Sequence, residues 1–329
     1  MNKAPKSCII FGGSGYVGQY WQRRLIRQNN FDRILLADLR PPALEPPAGV
    51  DYVRCDVRQP LLPQLPAIAP EWLFNFAAVH REPGHAREEY FETNLPGARN
   101  VCAFAEQVGC GNILFTSSIA VYGPTAGATS ETSPLYPASA YGISKLCAEL
   151  VHEAWQRSST SRRLYICRPG VIYGPGDPGN ILRMIRAIRK GYFIFPGSRN
   201  LRKSYGYIEG LLDCFEFLMS REEPHLICNY VERETEPLGK LVQIVQKRLG
   251  KRSPVFTAPL PLLAAVAAMA QLLTAGRSPL HPARVRKTAM STHIIPETLA
   301  KAGFHFRYDF PASLEDWAQK SPEDFYGRA

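Results

Sequence analysis

The stretch Ser7-Cys-Ile-Ile-Phe-Gly-Gly-Ser-Gly-Tyr-Val-Gly18 decides the fold. Ser7–Phe11 reads as a buried strand, and the glycines behind it satisfy both G-x-x-G-x-x-G (12, 15, 18) and G-x-G-x-x-G (13, 15, 18). Helical periodicity then runs from Tyr16 to Asn29. Glycines at this strand-to-helix turn let the backbone approach a pyrophosphate, which rests on the helix N-terminus. Asp38 lies 20 residues beyond Gly18, at the end of the second predicted strand. There its carboxylate accepts hydrogen bonds from ribose hydroxyls and repels a 2′-phosphate. The pattern predicts a bound dinucleotide, NAD ahead of NADP. Arg40, which can receive a 2′-phosphate, keeps NADP open. Gly12, Gly15, Tyr16, Val17 and Asp38 are the cofactor-binding candidates of this loop.

Outward from it, Ile34–Asp38, Tyr52–Cys55, Trp72–Ala77, Ile113–Thr116 and Leu164–Arg168 read as buried parallel strands. Glu88–Val108 and Tyr141–Gln156 carry helical periodicity between them. Repeated strand–helix units predict an α/β fold, a doubly wound parallel sheet of Rossmann type. Past about Gly170 the alternation weakens, which predicts a smaller mixed α/β lobe. Residues 1–170 are expected to hold the cofactor and 171–329 mainly the substrate, with about 204–231 returning to the sheet. Strand-like pieces there are Tyr192–Phe195, Tyr205–Ile208 and Leu226–Val231. Val255–Leu273 has no charge, but Pro259 and Pro261 interrupt its start. A buried or cleft-lining helix is expected, with peripheral membrane attachment as the alternative and integral insertion disfavoured.

The chain has 329 residues, enough for a large core, and a formal net charge of +10. Its Lys and Arg form no run of five, which argues against nucleic acid as a partner. Eight Cys without a C-x-x-C spacing suit reduced thiols rather than a disulfide framework. The opening residues hold only a four-residue apolar run, so no signal peptide is expected and a cytoplasmic location is.

Tyr141-Gly-Ile-Ser-Lys145 places a phenol and an ammonium on one face of a predicted helix. A neighbouring ammonium favours phenolate, so the Tyr141 pKa is expected to fall and the group to serve as base or acid. Ser118, 23 residues upstream at a predicted strand end, can hydrogen-bond the reacting hydroxyl or carbonyl. Ser118, Tyr141 and Lys145 are the catalytic candidates.

With these motifs the chain resembles the extended short-chain dehydrogenase/reductase family, in particular its nucleotide-sugar epimerases and reductases. The elements appear in order: GGSGYVG, Asp38, Cys55-Asp56-Val57, Phe74-Asn75-Phe76-Ala77-Ala78, Asn94, TSSIAVYG (116–123), YGISK, and Arg168-Pro169-Gly170 leading into Val171-Ile172-Tyr173-Gly174. The resemblance implies that Asp56 and Val57 contact the adenine and that Ala77 and Ala78 line the pyrophosphate and ribose. Asn94 joins the cofactor site, Lys145 also holds the nicotinamide ribose, and Pro169 borders the nicotinamide. For a nucleotide-diphosphate-sugar substrate it implies Asn180 and Lys203 at the diphosphate, with Arg284 and Arg286 as weaker candidates there, and His80 near a position that faces the substrate. It also implies a homodimer. His80 and His85 make no metal set, and no metal is expected.

Two departures narrow the activity. Ile119-Ala120 stand where the family's dehydratases carry Asp-Glu, which removes the acid–base pair for water elimination. Val171 replaces an Asn that many epimerases turn to the substrate, which keeps a reductase open. The leading expectation is an NAD-dependent nucleotide-sugar 4-epimerase. The rivals are an NAD(P)H-dependent 4-ketoreductase, a hydroxysteroid-type dehydrogenase and a catalytically silent NAD-binding protein.

Overall fold

β1 (Ser7–Phe11) is buried along its whole length, and its side chains part to two cores: Cys8 and Ile10 enter one, Ile9 and Phe11 the other. A strand buried on both faces belongs to a parallel sheet covered by helices on each side. The computed structural model describes residues 5–82, 84–125, 127–251, 254–274, 285 and 290–327. In it β1 is flanked by β2 (Arg33–Asp38) and β4 (Trp72–Asn75); β3 (Val50–Arg54), β5 (Asn112–Thr116), β6 (Arg163–Pro169) and β10 (His225–Tyr230) complete a seven-stranded sheet. The order is β3-β2-β1-β4-β5-β6-β10, with every pairing parallel. It reverses between β1 and β4, so the crevice where such sheets bind ligands opens beyond Phe11 and Asn75.

On one face α1 (Tyr16–Gln28) and α5 (Ile208–Met219) bury Trp21 between Phe74 and Phe215, each ring centroid 5.4 Å away. On the other, α2 (Arg87–Gln107) and α3 (Ala140–Arg157) supply Phe104, Ala148 and Trp155. Cys167, Cys214 and Cys228 lie together in the first core, packed as small apolar side chains.

The remaining elements form the second lobe. β7 (Val171–Tyr173) pairs with β9 (Tyr205–Tyr207), and β8 (Ile194–Pro196) with β11 (Phe256–Ala258). α4 (Asn180–Lys190) and α6 (Leu238–Arg248) are followed by α7 (Leu260–Leu273), α8 (Glu297–Lys301), α9 (Phe310–Lys320) and α10 (Pro322–Tyr326). The chain enters this lobe after β6, returns to the sheet at β10 and leaves again.

The expectation for Val255–Leu273 is corrected. α7 is not buried: Ala267 is its single buried residue, and Leu272 and Leu273 are 82% and 80% exposed. α4 and α6 already close the lobe with Ile185, Ile188, Leu241 and Val245. An apolar run is buried only where a second apolar surface remains to meet it. Among the described residues no helix is long and apolar enough to cross a membrane.

Candidate active site

The turn from β1 to α1 requires glycine at position 12. Gly12 has φ of +77°, and a Cβ there would stand 2.8 Å from the Ala77 nitrogen on the segment after β4. Gly15 caps α1 without a side-chain hydrogen bond, and the first turn holds no acid, which leaves its N–H groups for an anion. Ser14 Oγ is buried without a hydrogen-bond partner among the described residues, an orphan that a phosphate oxygen would satisfy. The Asp38 carboxylate accepts the N–H groups of Ser14 (3.1 Å) and Arg40 (3.2 Å), which fixes it beside the loop. This cradle fits a dinucleotide.

Tyr16 and Val17 are half-buried in the first turn of α1, and Ala77 and Ala78 are half-buried on the opposite lip. Asp56 is committed within the protein. Arg58 binds its carboxylate with contacts of 2.7–3.0 Å and holds it below the usual carboxylate range. Val57 is buried, its carbonyl accepting the Asn100 side-chain amide at 2.8 Å. Asn94 is buried too. It accepts the Val79 N–H (2.9 Å) and donates to the Val79 carbonyl (3.1 Å) and Ser144 Oγ (2.9 Å). These bonds clamp the Ala77-Ala78 segment to α3.

On α3, Ser139 Oγ caps the helix by accepting the Gly142 N–H at 3.1 Å. A Cβ on Gly142 would stand 2.4 Å from the Ala120 carbonyl oxygen, so glycine lets the helix begin against the 3-10 turn Ile119–Tyr122. Ser118 caps that turn by accepting the Ala120 N–H at 3.1 Å, and its side chain hydrogen-bonds that of Tyr141. Burial pushes the Tyr141 phenol up to about 12, the Ser118 bond opposes the rise, and Glu82 and Tyr90 add to it. The expectation that Lys145 lowers this pKa is therefore corrected for the ligand-free protein. Lys145 is 2% exposed, with Nζ 4.2 Å from the centre of the Phe115 ring. Burial pushes its ammonium down to about 7, against the pull of Glu149. An ammonium that burial discharges near neutrality has little hold on a neighbouring phenol.

The sequence reading missed Glu149. It lies one turn beyond Lys145, and Arg168 grips it through two hydrogen bonds of 2.9 and 2.6 Å. Arg168 also donates to the Tyr122 hydroxyl (2.9 Å), which donates to Asn229 Oδ1 (2.8 Å). The spacing of Tyr141, Lys145 and Glu149, four residues apart each time, was the available signal. Tyr90 was also missed; its ring centroid is 6.1 Å from that of Tyr141.

Pro169 ends β6 half-buried, and Val171, 39% exposed, opens β7. Val171 and Tyr205 are register partners, so the strand that follows half-buried Lys203 runs beside the chain leaving Pro169. His80 is exposed after β4, and Asn180 is exposed as the first residue of α4. Arg284 and Arg286 lie outside the described residues.

The model of the NAD dependent epimerase/dehydratase family matches residues 8–229. The chain is 35% identical over 188 residues to an N-acetyl-alpha-D-glucosaminyl-diphospho-ditrans,octacis-undecaprenol 4-epimerase of Escherichia coli O157:H7, a match covering 56% of this chain and 57% of that protein. It is 24% identical over 272 residues to a UDP-glucose 4-epimerase of Vibrio cholerae, covering 79% and 80%. Among solved structures, the WbmG enzyme of Bordetella bronchiseptica in complex with NAD superposes with a TM-score of 0.74 at 19% identity, over 99% of this chain and 96% of that one. A dinucleotide cradle at the switch point and a family match across the whole sheet agree: the chain belongs to the NAD dependent epimerase/dehydratase family and is an NAD-dependent enzyme of the extended short-chain dehydrogenase/reductase type.

Proposed function

We propose that the protein is a 4-epimerase of a diphosphate-linked sugar. The observation that carries this reading is the Ser118–Tyr141 hydrogen bond, with buried Lys145 one helical turn beyond Tyr141. NAD held in the Gly12–Asp38 cradle would supply a reversible hydride acceptor for C4 of the sugar. Tyr141, once ionised in the loaded site, takes the C4 hydroxyl proton and gives it back, and Ser118 orients that hydroxyl. Lys145 holds the nicotinamide ribose on the same helix face. Gly12, Gly15, Tyr16, Val17, Asp38, Ala77 and Ala78 form the cofactor wall, which Asn94 positions through Val79. Residues 1–170 hold the cofactor and 171–329 the substrate, with Lys203 and Asn180 at the diphosphate. Ile119-Ala120 offer no acid for water elimination.

Both curated relatives described above are named as 4-epimerases, one of a nucleotide-linked and one of a polyprenol-linked sugar. The exposed Val171 favours the ketoreductase as second reading, since no amide stands there to grip the sugar. Proton NMR of purified protein with UDP-, dTDP- and GDP-sugars and with a polyprenyl-diphosphate sugar, without added cofactor, tests the assignment. A new 4-epimer supports it. No epimer, with NADH or NADPH consumed on a 4-keto sugar, replaces it by the reductase. Tyr141→Phe should lose turnover by about 100-fold or more while retaining NAD; near-normal turnover would remove Tyr141 as the acid–base group.

A further inference from the structure

The outward face of α7 is apolar and its inward face carries the helix's one polar side chain, the reverse of a helix built to meet water. Leu262, Val266, Met269 and Leu273 recur at four, three and four residues, one stripe of the helix, and all are exposed, as is Leu272 beside them. Gln271 and Ala267 lie on the opposite side, half-buried and buried. The apolar surface continues onto the strand that feeds the helix. Phe256 of β11 and Ile194 of β8 are register partners, and both are exposed.

Along the sequence, the charge of the segment that holds this helix has one sign. Residues 237–296 contain none of the chain's 29 Asp and Glu but nine of its 39 Lys and Arg. Nearly all of the +10 net charge therefore belongs to the segment that contains α7, although no local run of cations reveals it. Lys247 and Lys251 precede the helix, with Arg248 between them paired to Glu315 of α9 at 2.7 Å, and Arg277, Arg284, Arg286 and Lys287 follow it in sequence.

We propose that α7 and the β8–β11 pair form a docking surface for an anionic lipid bilayer, with the helix lying in the interface and Lys247 and Lys251 at the headgroups. The 14 residues of α7 extend about 21 Å at 1.5 Å per residue, short of the ~30 Å hydrocarbon core, so the helix lies on the membrane rather than across it. A second copy of the chain fits this surface poorly, because pairing α7 with itself brings two acid-free cationic segments together. The surface is independent of the reaction proposed above, and either can fail without the other.

The test is co-sedimentation of the full chain with vesicles of phosphatidylcholine alone and of phosphatidylcholine with phosphatidylglycerol. The protein should pellet with the anionic vesicles and be released as salt is raised. The double variant Val266→Gln, Met269→Gln should partition about tenfold less, with its thermal unfolding unchanged. Leu272→Gln with Leu273→Gln, at the exposed end of the helix, is the second variant should the first misfold. Failure of the wild type to pellet with anionic vesicles would overturn the proposal, as would equal pelleting of folded variants. So would light scattering that shows a dimer which either variant converts to monomer while the wild type ignores vesicles.

Discussion

Lys145 couples function to a cost in stability. Burial pushes its pKa down to about 7, against about 10.4 in an unfolded chain. Between those values the unfolded chain binds a proton that the native one lacks, so stability contributed at this position rises with pH from about 7 towards 10. Below about 7 both states are protonated and the penalty of burying the charge is constant. Lys145→Met should therefore raise stability by about 1–4 kcal/mol near pH 6, with a smaller gain near pH 9, while turnover is lost. Urea unfolding at the two pH values checks this; an unchanged or lowered stability at the acid value would contradict it. Tyr141 and Lys145 were legible as a pair from their spacing alone. Their protonation was not, because desolvation by the surrounding sheet and helix outweighs the mutual pull that the spacing implies.

α3 is the element on which the site is built, and its buried side sets Lys145, Glu149 and His152 among Ala148 and Trp155. Tyr141, Lys145 and Glu149 follow one another by turns, and Glu149 is 1% exposed beside the 3% exposed Arg168. Removal of one partner leaves the other charged, buried and alone. Glu149→Ala should cost about 3–5 kcal/mol, and Glu149→Ala with Arg168→Met should restore most of the loss. Denaturant midpoints of the two single variants and the double variant give the coupling; simple additivity would show that the pair is not a unit. The helix bounds were readable from periodicity to within one residue at each end, Tyr141–Gln156 against Ala140–Arg157. Arg168 was readable only as a family signature. Its partner lies 19 residues away in sequence, on an element that meets β6 only in the folded chain.

Across the whole molecule the two lobes are joined at Glu232, just past the end of β10. Tyr173 of β7 donates to its carboxylate and shares a hydroxyl bond with Ser313 of α9. Burial pushes Glu232 up to about 8, with the Tyr173 bond opposing and Asp309 adding to the rise. An unfolded Glu titrates near 4.3, so between about 4.3 and 8 the native state holds a proton that the unfolded one lacks, and stability falls as pH rises through that window. Glu232→Gln keeps an acceptor for Tyr173 and should flatten this dependence, gaining most on the wild type near pH 9. Thermal unfolding across the pH range measures it; parallel curves for the two proteins would refute it. The sequence by itself determined the parallel sheet, the glycine turn, Asp38 and the Ser118–Tyr141–Lys145 trio, since strand burial, helix periodicity and turn geometry are local properties. Only the tertiary structure decided that α7 stays outside, that Arg168 serves Glu149, and that Tyr141 rests as a neutral phenol. Each depends on which surfaces remain uncovered, and on how much water is excluded, after distant segments have packed.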